Sequence, residues 1–257
     1  QNISMEKTCM KQLTNRFKKI QTFGCSLTTG DDVEDKSKIW PSLLSQKLSC
    51  GVENYGYSNA SNQSIADKVV QHCNSKKFVI VCWTSQFRHQ IYEDSDKIDY
   101  NVLHTNKVIA KNETLCAMPN AMVKMTNLQK RYVNEAQYYK NFLQTVLWLQ
   151  EYLKFKKVNF VFCYGNSMSI SFNKQNWNTK PQIKTNFYDP KQLQKKFPFI
   201  KCIDKKRFID FYKPQKSFWE NCVKKNIPLG VTRHPLEEGH LLWANNLYKN
   251  IAKTFLI

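Results

Sequence analysis

The sequence predicts an α/β fold, a three-layer α/β/α arrangement around a central, mostly parallel sheet. The continuous apolar run Phe78 to Trp83 and the mostly apolar Val158 to Tyr164 have the character of strands buried on both faces. Strand-like and helix-like segments alternate along the chain, the order expected of a parallel sheet covered on both sides. No internal repeat or low-complexity linker interrupts them, so residues 1–257 are expected to form a single domain.

Residues 1–16 read as a short amphipathic lead-in. A first strand is expected from about Lys18 to Gly24, followed by the turn Cys25-Ser26-Leu27-Thr28. Ile39 to Leu48 reads as a helix entered through Pro41, since proline is tolerated in a first turn and Leu43, Leu44 and Leu48 then share a face. Val52 to Tyr57 has strand character and ends in the polar turn Ser58-Asn59-Ala60-Ser61-Asn62. Ser61 or Asn62 can cap the next helix, Gln63 to Cys73, whose apolar face is Ile65, Val69 and Val70. Beyond the strand at 78–83, residues 84–125 are mixed in character and are expected to form an irregular insertion. Thr126 to Lys157 is the longest helical pattern, with Tyr139, Leu143, Val146 and Leu153 among its apolar positions. After the strand at 158–164, a second insertion near 166–216 shows little periodicity beyond a helical turn at Pro190 to Lys196. Ser217 to Lys225 and Leu241 to Phe255 read as the last two helices.

Composition sets further bounds. The 42% hydrophobic and 13% aromatic content suits a sizeable core and excludes disorder. Nine cysteines form an odd set without CxxC pairs, and Cys25, Cys82 and Cys163 lie in apolar, strand-like runs. Reduced thiols are expected, with no disulfide framework, no metal site and no cofactor. No run is long enough to cross a bilayer, and the first twenty residues lack the apolar stretch of a signal peptide. The net charge of +19 is partly concentrated: residues 174–225 hold 14 basic side chains against Asp189, Asp204, Asp210 and Glu220. Such a surface favours polyanions, or is simply a solvated, lysine-rich face.

The candidate chemistry lies at the two ends of the chain. A strand ending in Gly24-Cys25-Ser26 before a turn can present a hydroxyl at the carboxyl edge of a sheet, where open α/β proteins place their sites. An alcohol nucleophile needs a base near neutral pH, and histidine is the usual one. His234 stands on a loop just before the last helix, with Pro235 fixing the backbone after it. Taken singly, Ser26 also reads as a turn or cap residue, and His234 and His240 as a cap and a packed core histidine.

Together these pieces resemble the SGNH/GDSL hydrolase family, in particular its divergent phage and virus members. Phe23-Gly24-Cys25-Ser26-Leu27-Thr28 resembles the first block, with Cys25 where aspartate is usual. Asn54 to Ile65 resembles the second block, and Val79 to Arg88 occupies the place of the third. His234-Pro235…Gly239-His240…Trp243-Ala244 resembles the last, so the blocks span residues 20 to 250. The resemblance implies a flavodoxin-like SGNH hydrolase fold with Ser26 as nucleophile and His234 as general base and then acid. His240 would be structural. The oxyanion would be held by the backbone N–H of Ser26, that of Asn59 in the second block, and a side chain of the third, Thr84 or Ser85. Thr232 and Val231 stand where the family has its aspartate. Asp204 and Asp210 are then the candidates, by chain proximity, to orient the imidazole, unless a backbone carbonyl does so. Arg88 either binds an anionic group or pairs with Glu93.

Two function classes follow. One is a serine esterase removing acyl groups, acetyl by default, from a carbohydrate or similar ester. The other is a catalytically weakened SGNH-fold binding or structural protein of a virion, using its basic surface. A nucleic-acid-binding role is not favoured, because lysines greatly outnumber arginines and no recognised module is present. A membrane partner is not expected, and the location would be cytoplasmic or virion-associated.

Overall fold

A computed structural model of the protein describes residues 17–86, 88–93, 96–102, 108–109, 135–167, 170–171, 182–183 and 190–255. In chain order the first half contains β1 (Lys19–Gly24), α1 (Ser26–Thr29), α2 (Trp40–Lys47), β2 (Gly51–Asn54), α3 (Asn62–His72) and β3 (Phe78–Trp83). Next come β4 (Arg88–Glu93), β5 (Asp96–Val102), β6 (Val108–Ile109), α4 (Glu135–Phe155) and β7 (Asn159–Tyr164). The remainder contains β8 (Ile170–Ser171), β9 (Gln182–Ile183), α5 (Pro190–Lys196), α6 (Phe218–Lys224) and α7 (Glu237–Phe255).

The apolar runs become a parallel sheet in the order β2-β1-β3-β7. Every residue of β3 is buried, and so are the last five of β1 and β7, as strands covered on both faces require. The register sets Gly24 beside Cys82, and Trp83 beside Tyr164. The chain moves from β1 outward to β2, then back across β1 to β3 and on to β7. Right-handed crossovers therefore place α2 on one face and α3 and α4 on the other. The packing agrees: α7 lies against α2, and α3 against α4. The strand order reverses between β1 and β3, the topological position at which open parallel sheets place their sites, at the carboxyl ends of the strands. The expected three-layer α/β/α class is the one observed.

Local sequence explains most boundaries. Pro41 opens α2 in its first turn, and the Ser61 hydroxyl caps α3 by accepting from the Ser64 N–H at 3.1 Å. The last helix starts at Glu237, one turn before the expected Leu241, with Glu237 and Glu238 complementing its positive end. The long helix begins at Glu135 among the described residues; its expected start at Thr126, like the lead-in at 1–16, lies outside them. The insertion near 84–125 is not wholly irregular. Its β4, β5 and β6 form an antiparallel sheet of their own, in which Ile91 faces Ile98. RHQIYE has no alternating pattern, whereas in DKIDYNV Ile98, Tyr100 and Val102 alternate with polar residues, a strand signal that the sequence offered. The second insertion holds the short pair β8–β9, α5 and two 3₁₀ turns. Among the described residues, all seven cysteines are free thiols, no cluster of metal-ligating side chains occurs, and no helix is long and apolar enough to cross a membrane.

Candidate active site

The site is built where β1 ends. A Cβ on Gly24 would lie 2.1 Å from Thr28 Oγ1, so glycine at this position lets the chain fold straight back into the single turn of α1. Thr28 and Thr29 donate to the Cys25 carbonyl, and Gly30, in the left-handed region at φ 76°, donates to the Ser26 carbonyl. Ser26 is the first residue of that turn, so its N–H has no acceptor within the helix.

The loop after β2 is fastened to this turn by Asn54. Its Oδ1 accepts from Thr22 Oγ1 and from the Gly56 N–H, each at 3.0 Å, and its Nδ2 donates to the Thr28 carbonyl at 2.9 Å. Gly56 then runs so close that a Cβ there would meet Thr29 N at 2.8 Å. Asn59 follows with φ 64°, a conformation asparagine tolerates better than most residues. Asn62 is buried, and its amide bonds the backbone of Thr84 and Ser85, binding the loop after β3 to the start of α3. The Thr84 hydroxyl is buried without a partner among the described residues. Arg88 reaches the Ala60 carbonyl at 3.4 Å.

The histidine loop arrives from the other end of the chain. Arg233 donates to the Gly230 carbonyl, Gly230 donates to the His234 carbonyl, and Leu229 bridges Pro235, which makes a tight hairpin with Arg233 at φ 66°. Trp219 Nε1 donates to the Arg233 carbonyl and secures the tip. His234 Nε2 lies 2.7 Å from Ser26 Oγ, so the two residues paired by the sequence are in hydrogen-bond contact.

The other side of the imidazole departs from expectation. His234 Nδ1 lies 2.6 Å from Thr232 Oγ1, whose hydroxyl is 2.8 Å from Asp32 Oδ2. The same carboxylate oxygen accepts from the Thr232 N–H at 2.9 Å and the His234 N–H at 3.3 Å, and lies 3.7 Å from Nδ1. Burial pushes the Asp32 pKa up, but the Thr232 hydroxyl, the two backbone N–H groups and the charge of His234 outweigh it, and the net shift is down. Asp204 and Asp210 are not beside the imidazole. Asp204 receives the Lys206 N–H and faces Arg207, and Asp210 pairs with Lys216, on the turns that follow β7. Chain proximity misleads there because α6 intervenes before the histidine loop. Asp32 was not among the acids that the sequence singled out. The signal available was an acidic pair directly after Gly30, one turn from the nucleophile.

His240 is fully buried. Its Nδ1 accepts the Trp40 N–H at 3.0 Å, capping α2, whose N-cap residue Ile39 supplies no side-chain acceptor. Its ring stands edge-on to Phe218. Burial, with the charges of His234 and Lys36, lowers its pKa to about 3, so it stays neutral.

No protein-family model matches the sequence, and no curated protein does. Among solved structures the chain is similar to a psychrotrophic esterase from Pseudoalteromonas sp. at 11% identity, covering 92% of this chain and 97% of that one, with a TM-score of 0.49. It is also similar to a lipolytic protein of the G-D-S-L family from Veillonella parvula, at 13% identity over 90% and 96% of the two chains, TM-score 0.47. A third is an acetyl xylan esterase, at 11% identity over 91% and 99%, TM-score 0.45.

Proposed function

We propose that the protein is a serine esterase of the SGNH/GDSL type. The observation that carries this is the 2.7 Å contact between Ser26 Oγ and His234 Nε2 at the carboxyl edge of a parallel sheet. Nε2 takes the hydroxyl proton as Oγ attacks an ester carbonyl carbon. The tetrahedral intermediate then expels the alcohol, which leaves with that proton, and the acyl group stays on Ser26. Water, deprotonated by Nε2, attacks the acyl-serine, and the carboxylic acid departs as Ser26 regains its proton. The Ser26 and Asn59 N–H groups, with a hydroxyl of Thr84 or Ser85, are the donors assigned to the oxyanion. The block resemblance extends the reading to acyl groups, acetyl first, carried by a carbohydrate or similar alcohol.

A fluorophosphonate probe tests the reading. Wild-type protein is expected to be labelled, and Ser26→Ala and His234→Ala to lose labelling while keeping the wild-type circular dichroism. Well-folded wild type that takes up no probe would count against an esterase.

A second reading, a polyanion-binding scaffold, is favoured by one observation. In 195–225 the lysines at 195, 196, 201, 205, 206, 213, 216, 224 and 225 are exposed, whereas Glu220 is buried under Ser167. The two readings are compatible, since the basic segment does not include Ser26 or His234.

A further inference from the structure

Resting on the assignment of Ser26 and His234 as nucleophile and base, we propose that Asp32 is the positioning acid of this site and acts through the Thr232 hydroxyl. An ionised carboxylate only accepts hydrogen bonds. Its oxygen 2.8 Å from Thr232 Oγ1 therefore draws the hydroxyl hydrogen toward itself. The lone pairs of Oγ1 are left facing Nδ1 at 2.6 Å, so Nδ1 must carry the ring proton. Nε2 is then the unprotonated nitrogen, and it is the one beside Ser26 Oγ. The polarity of the whole row, from carboxylate to serine, is set at Asp32.

The surrounding backbone is shaped for this contact. Gly30 and Asp32 both have positive φ, at 76° and 68°, which turns the chain sharply after α1. A Cβ on Gly230 would lie 2.4 Å from Asp32 Cβ and 2.6 Å from its Oδ2, so the hairpin can close over the carboxylate only with glycine there. Two backbone N–H groups of the hairpin then fix the carboxylate itself. Thr232, in the place of the family's aspartate, transmits the effect of an acid held elsewhere in the chain. The charged groups about the imidazole are Asp32, the adjacent Arg233 and, beyond the neutral His240, Lys36, whose ammonium binds the Gly30 and Val33 carbonyls.

Asp32→Ala removes the acceptor that orders the Thr232 hydroxyl, so that hydroxyl can turn to donate to Nδ1 and the ring proton is no longer held there. Replacing a buried triad aspartate by asparagine costs about 10⁴-fold. Thr232 is exposed to solvent, so a smaller loss of about 10²-fold in probe-labelling rate is expected here. Thr232→Val should lose about as much and the double variant no more, while Thr232→Ser keeps near wild-type labelling. Nitrogen-15 spectra of the imidazole, assigned with His234→Ala, supply a readout independent of turnover. Wild type is expected to show the proton on Nδ1. Asp32→Ala is expected to show a larger share of the proton on Nε2, because nothing then orients the Thr232 hydroxyl away from Nδ1. A folded Asp32→Ala protein with unchanged labelling and tautomer would overturn the proposal. Wild type that is never labelled would instead overturn the esterase assignment, and the tautomer comparison would still decide the role of Asp32.

Discussion

At the scale of single residues, two histidines six positions apart are set to opposite tasks by their surroundings. His234 is partly open and faces a hydroxyl at each ring nitrogen. His240 is sealed between Phe218 and the first turn of α2. His240→Ala should cost about 2–4 kcal/mol in denaturant unfolding, from the vacated volume and the lost cap, yet leave labelling of Ser26 in the folded fraction. The pH dependence has a definite sign. Between the ordinary value of 6.5 and the folded value of about 3, the unfolded chain binds a proton at His240 that the folded chain does not. The contribution of His240 is complete above 6.5 and declines as pH falls toward 3, so the gap between wild type and His240→Ala should narrow over that interval. A gap that stays constant with pH would mean that His240 is protonated in the fold. Ser26 and His234 were legible in the sequence because each stands in a short motif whose chemistry is local. Asp32 was not, because the acidic pair after Gly30 is only a weak local signal and its contact with Thr232 spans 200 positions.

At the scale of elements, the site depends on how closely the loop after β2 approaches the turn of α1. Asn54 bonds three separate segments, and Gly56 leaves no room for a side chain against the Thr28–Thr29 backbone. Backbone atoms at 2.8–2.9 Å cannot swing aside as a flexible side chain would, so Gly56→Ala must displace either the loop or the nucleophile turn. We expect a loss of about 1–3 kcal/mol by chemical denaturation and a clear fall in probe labelling of the folded protein. Wild-type labelling would show that the two loops move independently. The buried strands and the first helices could be read from apolar runs and from Pro41 and Ser61. Of the β4–β6 sheet only β5 carried a legible signal, the alternation of Ile98, Tyr100 and Val102; RHQIYE in β4 has none.

At the scale of the whole molecule, charge and chemistry occupy different stretches of chain. If the basic segment after β7 is a binding face, position should matter more than total charge. Lys205→Glu, Lys206→Glu and Lys213→Glu together should lower the salt needed for elution from a heparin column more than the same reversal at Lys47, Lys76 and Lys249, all of which are also exposed. Equal shifts would mean that the +19 charge acts only as a diffuse cloud. The three-layer architecture itself was legible, because it follows from the order of buried runs and amphipathic helices. The local pairing of β8 with β9 was not, because two-residue strands leave no periodic trace.

The 208 positions between Ser26 and His234 also impose an order in time. A chain made from its amino end has Ser26, Asp32 and the described strands β2-β1-β3-β7 before it has His234. Until the hairpin at 229–235 is clasped by Trp219, and α7 has inserted His240 beneath α2, the serine keeps the reactivity of an ordinary alcohol. On the proposed mechanism the nucleophile is thus made long before the segment that activates it.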